Sequence, residues 1–175
     1  SKNPLLEEAG VKRIYVSPIR NESFKPGVEN LLYNELVRTL SVGRRVALVT
    51  KKEEADAVLE GVVSEASYAM NLATNADAIF PRDRKGVNLI VATEYRASLG
   101  CSFRLVRSRE YRKSPTGEML WESGFNRSRV FPGNNQKDEF GTTSPLINES
   151  EFDRALLEMA HSMMGDVHES MLAMF

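Results

Sequence analysis

The sequence holds few of the side chains from which disulfides, metal centres and nucleophilic sites are built. Its 175 residues include one cysteine, Cys101, and two histidines, His161 and His168. One thiol cannot close an internal disulfide, and without a CxxC or Cys/His cluster there is no zinc-site pattern. The histidines fall on one helical stretch about 10 Å apart by helical rise, too far to share a metal. No phosphate loop, GxGxxG or EF-hand pattern occurs, and no Ser/His/Asp arrangement can be drawn. Long apolar runs are missing as well, since nothing approaches the ~18 consecutive residues of a membrane helix. Nor is there an excess of charge. Lys and Arg number 23 against 24 Asp and Glu, a net charge of −1. That balance does not supply the broad positive footprint of a dedicated nucleic-acid binder, so an anionic partner has to be met by a local patch. The opening "SKNPLLEEAG" has no basic start followed by an apolar core; a trimmed amino terminus would read the same way.

What is present is pattern. In "VATEYRASLGCSFRLV", residues 91–106, the odd positions Tyr95, Ala97, Leu99, Cys101, Phe103 and Leu105 are apolar. Glu94, Arg96, Ser98, Gly100, Ser102 and Arg104 between them are polar or small. A period of two held for this long predicts a long strand with one dry and one wet face, and Cys101 is on the dry one. Around it the chain reads as a single domain over 1–175, with residues 1–12 as a lead-in. A first strand is expected over Arg13–Ser17. A helix follows with Pro26 in its first turn, Val28, Leu31, Leu32, Leu36 and Leu40 on its apolar face, and Gly43 as its carboxyl cap. "RRVALVT" reads as a second strand and Ala57–Ser67 as a third, with a bulge near Gly61. Residues 69–87 read as a long connection or the flared tip of a hairpin. The turn residues Ser114, Pro115, Thr116 and Gly117 then lead into a fifth strand on which Met119, Trp121 and Phe125 alternate, with Trp121 opposite Phe103 and Leu105. A loop over 131–150 precedes a final helix capped by Asn148 or Ser150. That helix carries Phe152, Leu156, Met159, Met163, Val167 and Met171 and is interrupted at Gly165. The order βαββββα predicts an α+β two-layer sandwich: a mixed sheet of four to five strands, joined mostly as hairpins, with both helices on one face.

The chemistry is sparse. Glu53, Glu54 and Asp56, like Asp138 and Glu139, lie in charge-mixed turns and read as solvated surface. Cys101 reads as a small apolar side chain, and the chain reads as a non-enzyme without cofactor or metal. Three basic groups stand out. Arg82, Arg84 and Lys85 precede the long strand; Arg107, Arg109, Arg112 and Lys113 flank the next turn; Arg127, Arg129 and Lys137 lie around the last loop. Clustered Arg and Lys at loop tips suit phosphate recognition, as in a phosphorylated glycolipid. Met70, Leu72, Ile79 and Phe80 beside the first group add apolar contact or local packing.

The ordered set "VKRIYVSPIRNESFKPGVENLLYNELVRTL", "ADAVLEGVVSEAS", "ATEYRASLGCSFRLV" and "TGEMLWES" resembles the LptE family of lipopolysaccharide-assembly lipoproteins. The resemblance implies a body that plugs the LptD-like outer-membrane β-barrel and binds lipopolysaccharide on the periplasmic side of the outer membrane. It also implies membrane attachment through a lipid anchor on an amino-terminal cysteine that is absent from this chain, so residues before Ser1 are expected to have been removed. By that resemblance the lipopolysaccharide-binding positions are Arg82, Arg84 or Lys85 in "FPRDRKG", and Lys137 in "NNQKDEF". The reading from a different class is a periplasmic structural lipoprotein of a secretion or polysaccharide-export assembly, with edge strands that pair with copies of itself into a ring.

Overall fold

The structure is a computed structural model and describes residues 10–75, 90–108, 118–133 and 145–173. Its elements are β1 (Arg13–Val16), β2 (Arg20–Asn21), α1 (Val28–Gly43), β3 (Ala47–Val49), a 3-10 turn (Lys52–Glu54), β4 (Ala57–Asn75), β5 (Ile90–Arg107), β6 (Met119–Pro132) and α2 (Pro145–Ala173). The sheet is mixed, in the order β3-β1-β4-β5-β6, and the two-residue β2 pairs with β4 beyond the end of β1. This is the expected α+β architecture, with β2 as one additional short strand. β1 is parallel to both β3 and β4, so β1-α1-β3 is a crossover unit; only β4-β5-β6 is joined by antiparallel hairpin pairing. The turn expected at 114–117 and the residues from 76 to 89 lie outside the described residues.

Both helices lie on the face made by the odd residues of β5. Val28, Leu32, Leu36 and Leu40 of α1 and Phe152, Leu156, Met159, Met163, Val167 and Met171 of α2 are all buried, joined by Leu99, Cys101, Phe103 and Leu105. Trp121 stands opposite Leu105 in register and is buried with it, as the alternation required. Among the described residues the other face carries no helix, and Glu60 and Arg104 meet there at 2.6 Å.

β4 is longer than the expected Ala57–Ser67, and its bulge falls directly after the stretch Gly61, Val62 and Val63 where it was expected. The register breaks between Val63 and Glu65, so Ser64 is the extra residue. Before it Ala57, Leu59 and Val63 face the helices; after it Ala66 does, and the inward parity has changed from odd to even. Gly61 blurs the pattern for another reason. It is paired with Phe103, and a Cβ on it would lie 2.6 Å from the Phe103 ring, so the ring occupies the glycine's missing side-chain space.

The helix ends also differ from expectation. α1 starts after Gly27, one residue beyond Pro26, and its left-handed cap is Arg44 at φ 54, whose N–H donates to Leu40 O. Gly43 remains helical because a Cβ there would lie 2.6 Å from the His168 ring of α2, so this glycine serves helix packing rather than chain reversal. α2 begins at Pro145, ahead of Asn148 and Ser150, and runs unbroken through Gly165. A helical glycine costs about 1 kcal/mol; the buried Met163, Met164 and Val167 around it outweigh that.

Asp56 is not solvated surface. It is 3% exposed; its Oδ2 accepts from the backbone N–H groups of Lys12 at 2.8 Å and Arg13 at 2.9 Å. Its own N–H donates to Arg13 O, and its carbonyl accepts from Ser108 N–H. One residue, through its carboxylate and its backbone, thereby ties together the starts of β1 and β4 and the end of β5.

Two predictions follow from these contacts. Gly61→Ala should destabilise the fold by about 1–3 kcal/mol through overpacking, measured by denaturant unfolding, with Phe103→Leu in the same chain recovering part of the loss. Equal stability of Gly61→Ala and the parent would refute the ring-over-glycine account. His168 is the second case: burial first, then Arg45, hold its pKa below the ordinary 6.5, while Glu169 opposes the shift. Its neutral form is therefore favoured by folding, and stability is full above about pH 6.5 and is lost as pH falls toward the depressed value. Comparing unfolding midpoints of the parent and His168→Gln at pH 7.5 and about pH 5 should show the parent losing ground on acidification; a pH-independent difference would count against it.

Candidate functional site

Sheet polarity brings three strand ends and a helix start to one place. Asn75 at the end of β4 pairs with Ile90 at the start of β5, Glu94 pairs with Pro132 at the end of β6, and α2 begins at Pro145. Arg82, Arg84, Lys85 and Lys137 lie outside the described residues, within 76–89 and 134–144, but the flanks of both segments meet at this end. Arg109, Arg112 and Lys113 also lie outside the described residues, and their flanks Ser108 and Glu118 are at the opposite end, on the order of 50 Å away along the strand.

Arg107, Arg127 and Arg129 are described, and each is engaged. Arg107 Nε donates to Glu118 Oε2 at 3.2 Å. Arg127 and Arg129 are not loop residues: both lie within β6, where Arg127 pairs with Asp166 and Arg129 Nε meets Glu158 Oε2 at 2.6 Å. These two cations fasten the edge strand to α2. His161 is exposed, with Nδ1 3.2 Å from Glu35 Oε2 of α1, and so also bridges secondary elements.

The shared end is floored by aromatic rings. The Tyr68 ring centroid lies 5.2 Å from that of Tyr95, 5.5 Å from Phe131 and 4.8 Å from Phe152. Tyr68 O–H donates to Glu149 Oε1 at 2.8 Å, and burial together with that carboxylate pushes the phenol up to about 12. Lys25 Nζ reaches Asp153 at 2.7 Å and Glu149 at 3.4 Å and sits 5.5 Å from the Phe152 ring centre. Its hydrogen bond to Asp153, ahead of the opposing effect of burial, raises its pKa, so the ammonium stays charged. Beyond the rings Met70, Leu72 and Val130 remain exposed, and Leu72, Glu94, Val130, Phe131 and Pro132 line a shallow groove of about 260 Å³.

Cys101 offers no nucleophile to the site. It is 4% exposed, and burial pushes its thiol up to about 12. Among the described residues no group of three His, Cys, Asp or Glu is placed to hold a metal, and no helix is long and apolar enough to cross a membrane. Two features go beyond the expected pattern: the Asn21–Lys25 turn, in which Asn21 Nδ2 donates to Lys25 O at 2.8 Å, and the Asp56 anchor. An Asn two residues before a Ser was the available sign of the first; nothing local distinguishes Asp56 from the acids beside it.

A model of the LptE lipopolysaccharide-assembly family matches residues 11–171, nearly the whole chain. The chain belongs to the LptE family. Among solved structures it is similar to the rare lipoprotein B from Shewanella oneidensis, at 13% identity over 93% of this chain and 95% of that one, with a TM-score of 0.54. It is also similar to an uncharacterized lipoprotein B from Nitrosomonas europaea, at 12% identity over 90% of this chain and 82% of that one, with a TM-score of 0.50. A PelC dodecamer from Paraburkholderia phytofirmans is similar at 16% identity over 93% and 89% of the two chains, with a TM-score of 0.49. At such identities the first two likenesses speak to fold alone, and nothing about assembly carries over from the third. No curated protein sequence matches.

For this LptE-family chain the buried thiol gives a direct expectation. A thiol-specific disulfide reagent should leave Cys101 unmodified in the native protein and modify it fully in denaturant. Rapid native-state labelling would instead place the thiol at the surface and revive a reactive role.

Proposed function

We propose that this chain is the lipid-anchored partner of an LptD-type outer-membrane β-barrel. In this reading its body seats in the barrel from the periplasmic side and contacts lipopolysaccharide during assembly. The family match over residues 11–171 is the observation that carries the proposal. The fold adds a physical reason. Strand polarity brings to one end of the sheet the flanks of 76–89 and 134–144, the segments whose sequence contains Arg82, Arg84, Lys85 and Lys137. Guanidinium and ammonium groups from both would meet the phosphates of lipid A, while the exposed Leu72 and Val130 beside them meet apolar parts of the same molecule. The role is binding and positioning; no covalent step is required of the chain.

The reading separates into two measurable parts. Replacing Arg82, Arg84, Lys85 and Lys137 by Asp should weaken lipopolysaccharide binding at least tenfold, since each charge-assisted phosphate contact is worth about 1.5–3 kcal/mol, while copurification with the barrel and the unfolding midpoint stay unchanged. Undiminished lipopolysaccharide binding would remove these residues from the site. A full-length parent chain that fails to copurify with the barrel would remove the plug itself.

A further inference from the structure

We propose that Arg96 is a phosphate-binding residue, and that it holds the phosphorylated head of an amphiphile whose apolar part lies over Leu72 and Val130. Along the sheet strands Arg13, Arg20, Arg104, Arg107, Arg127 and Arg129 each meet a carboxylate. Arg96 of β5 is exposed on the open face, and its partners among the described residues are neutral. Its Nε reaches Asn71 Oδ1 at 3.4 Å, and its Nη1 donates to Ser128 Oγ at 3.2 Å. The guanidinium is thus bracketed by β4 on one side and β6 on the other, while Nη2 keeps both its hydrogens to give. A held fork with no internal counter-charge suits a phosphate well, because no ion pair has to break and little side-chain freedom is lost when the anion arrives. The Ser128 hydroxyl accepts from Arg96 and keeps its own hydrogen for the same anion.

The backbone beside Arg96 puts apolar side chains next to it. β4 slips register between Met70 and Leu72, so Asn71 is the extra residue of a second bulge. Met70 pairs with Tyr95, but Leu72 pairs with Glu94, on the same face of β5 as Arg96. The bulge therefore turns Leu72 onto the open face, where it is 57% exposed; Val130, opposite Arg96 in β6, is 42% exposed. Both line the shallow groove that Phe131 and Pro132 complete. Glu94 is the carboxylate of this network, and the Asn71 amide stands between it and the arginine. Asn71 Nδ2 donates to Glu94 Oε2 at 2.5 Å while Asn71 Oδ1 faces Arg96. The close contacts of Arg96 decide the sign of the ligand, and the basic residues in the sequence of 76–89 and 134–144, whose flanks meet at this end, carry the same sign. A cation with free donors beside an apolar groove selects a ligand that has both an anionic and an apolar part.

The inference rests on the proposed function in taking lipopolysaccharide as the amphiphile. Binding of purified lipopolysaccharide to the full-length chain is measured for the parent, for Arg96→Gln and, as a carboxylate-paired arginine on the same face, for Arg104→Gln. Arg96→Gln should bind about tenfold more weakly with an unchanged unfolding midpoint, and Arg104→Gln should bind like the parent. With lipopolysaccharide stripped of its phosphates, parent and Arg96→Gln should bind alike; a loss that persists there is structural and overturns the proposal. Leu72→Asn should weaken binding of both forms, and unchanged binding would overturn the apolar half. Inorganic phosphate should fail to displace lipopolysaccharide from the parent; full displacement would indicate a site for the free anion and overturn the amphiphile. Suppose Arg96→Gln binds like the parent while the Asp variant of Arg82, Arg84, Lys85 and Lys137 has lost binding: this inference alone is then overturned. The reverse pattern upholds Arg96 and removes those four residues. A parent chain that binds no lipopolysaccharide overturns both.

Discussion

β4 and β5 pair from Ala57–Arg107 to Asn75–Ile90, and the placement of everything else depends on that ribbon. Because a strand alternates its side chains, β5 with its unbroken parity fixes which face is dry, and β4 has to conform. It does so by giving up one residue to a bulge at Ser64. Without that extra residue, Ala66 and Tyr68 would point to the open face and the helices would cover a gap. With it, Tyr68 turns inward to pack on Tyr95, Phe131 and Phe152. α1 and α2 share the dry face, and the wet face is left to pairs such as Glu60 with Arg104.

What the sequence displayed and what it concealed divide along the same physical line. β5 was legible because its period is unbroken from Glu94 to Leu105, and Trp121 could be set against Leu105 because β6 alternates from Trp121 onward. β4 was not, because its bulge and its register shifts near Leu72 scramble parity, and because Gly61 is small for the sake of a ring on another strand. Gly43 and Gly165 misled for a related reason. A glycine near a helix end reads as a cap and one inside a helix as a break, yet each was decided by tertiary packing: contact with His168 at Gly43, and burial of the surrounding methionines at Gly165. Asp56 shows the limit of local reading most plainly, since a turn acid and a buried anchor look alike until the donors from Lys12 and Arg13 are brought to it.

Charge in this molecule falls into two populations. Within the described residues the basic side chains that pattern alone grouped as loop patches are tied down: Arg107 to Glu118, Arg127 to Asp166 and Arg129 to Glu158. Such partly exposed pairs contribute little stability individually, typically below about 1 kcal/mol. Their effect is to orient an edge strand against α2 and to place charge along the sheet margin. A cation held by a carboxylate on the same body is a weaker offer to an external phosphate than one without such a partner. The arginines of β6 are therefore poor candidates for that role.

The two ends of the sheet are built to different standards, and this difference orients the functional reading. At one end the Asp56 carboxylate and backbone bonds among Lys12, Arg13, Ala47 and Ser108 knit β1, β3, β4 and β5 into a closed corner. At the other, β4 slips register twice around Leu72, and Met70, Leu72 and Val130 stay in water. Apolar side chains left exposed carry a solvation cost that folding alone does not relieve. The cost is tolerable where something else covers them. The Asn21–Lys25 turn reaches toward this same end through Lys25 and the first turns of α2. Among the described residues the body is knit closed at one end and leaves apolar side chains in water at the other, which gives the sheet a direction.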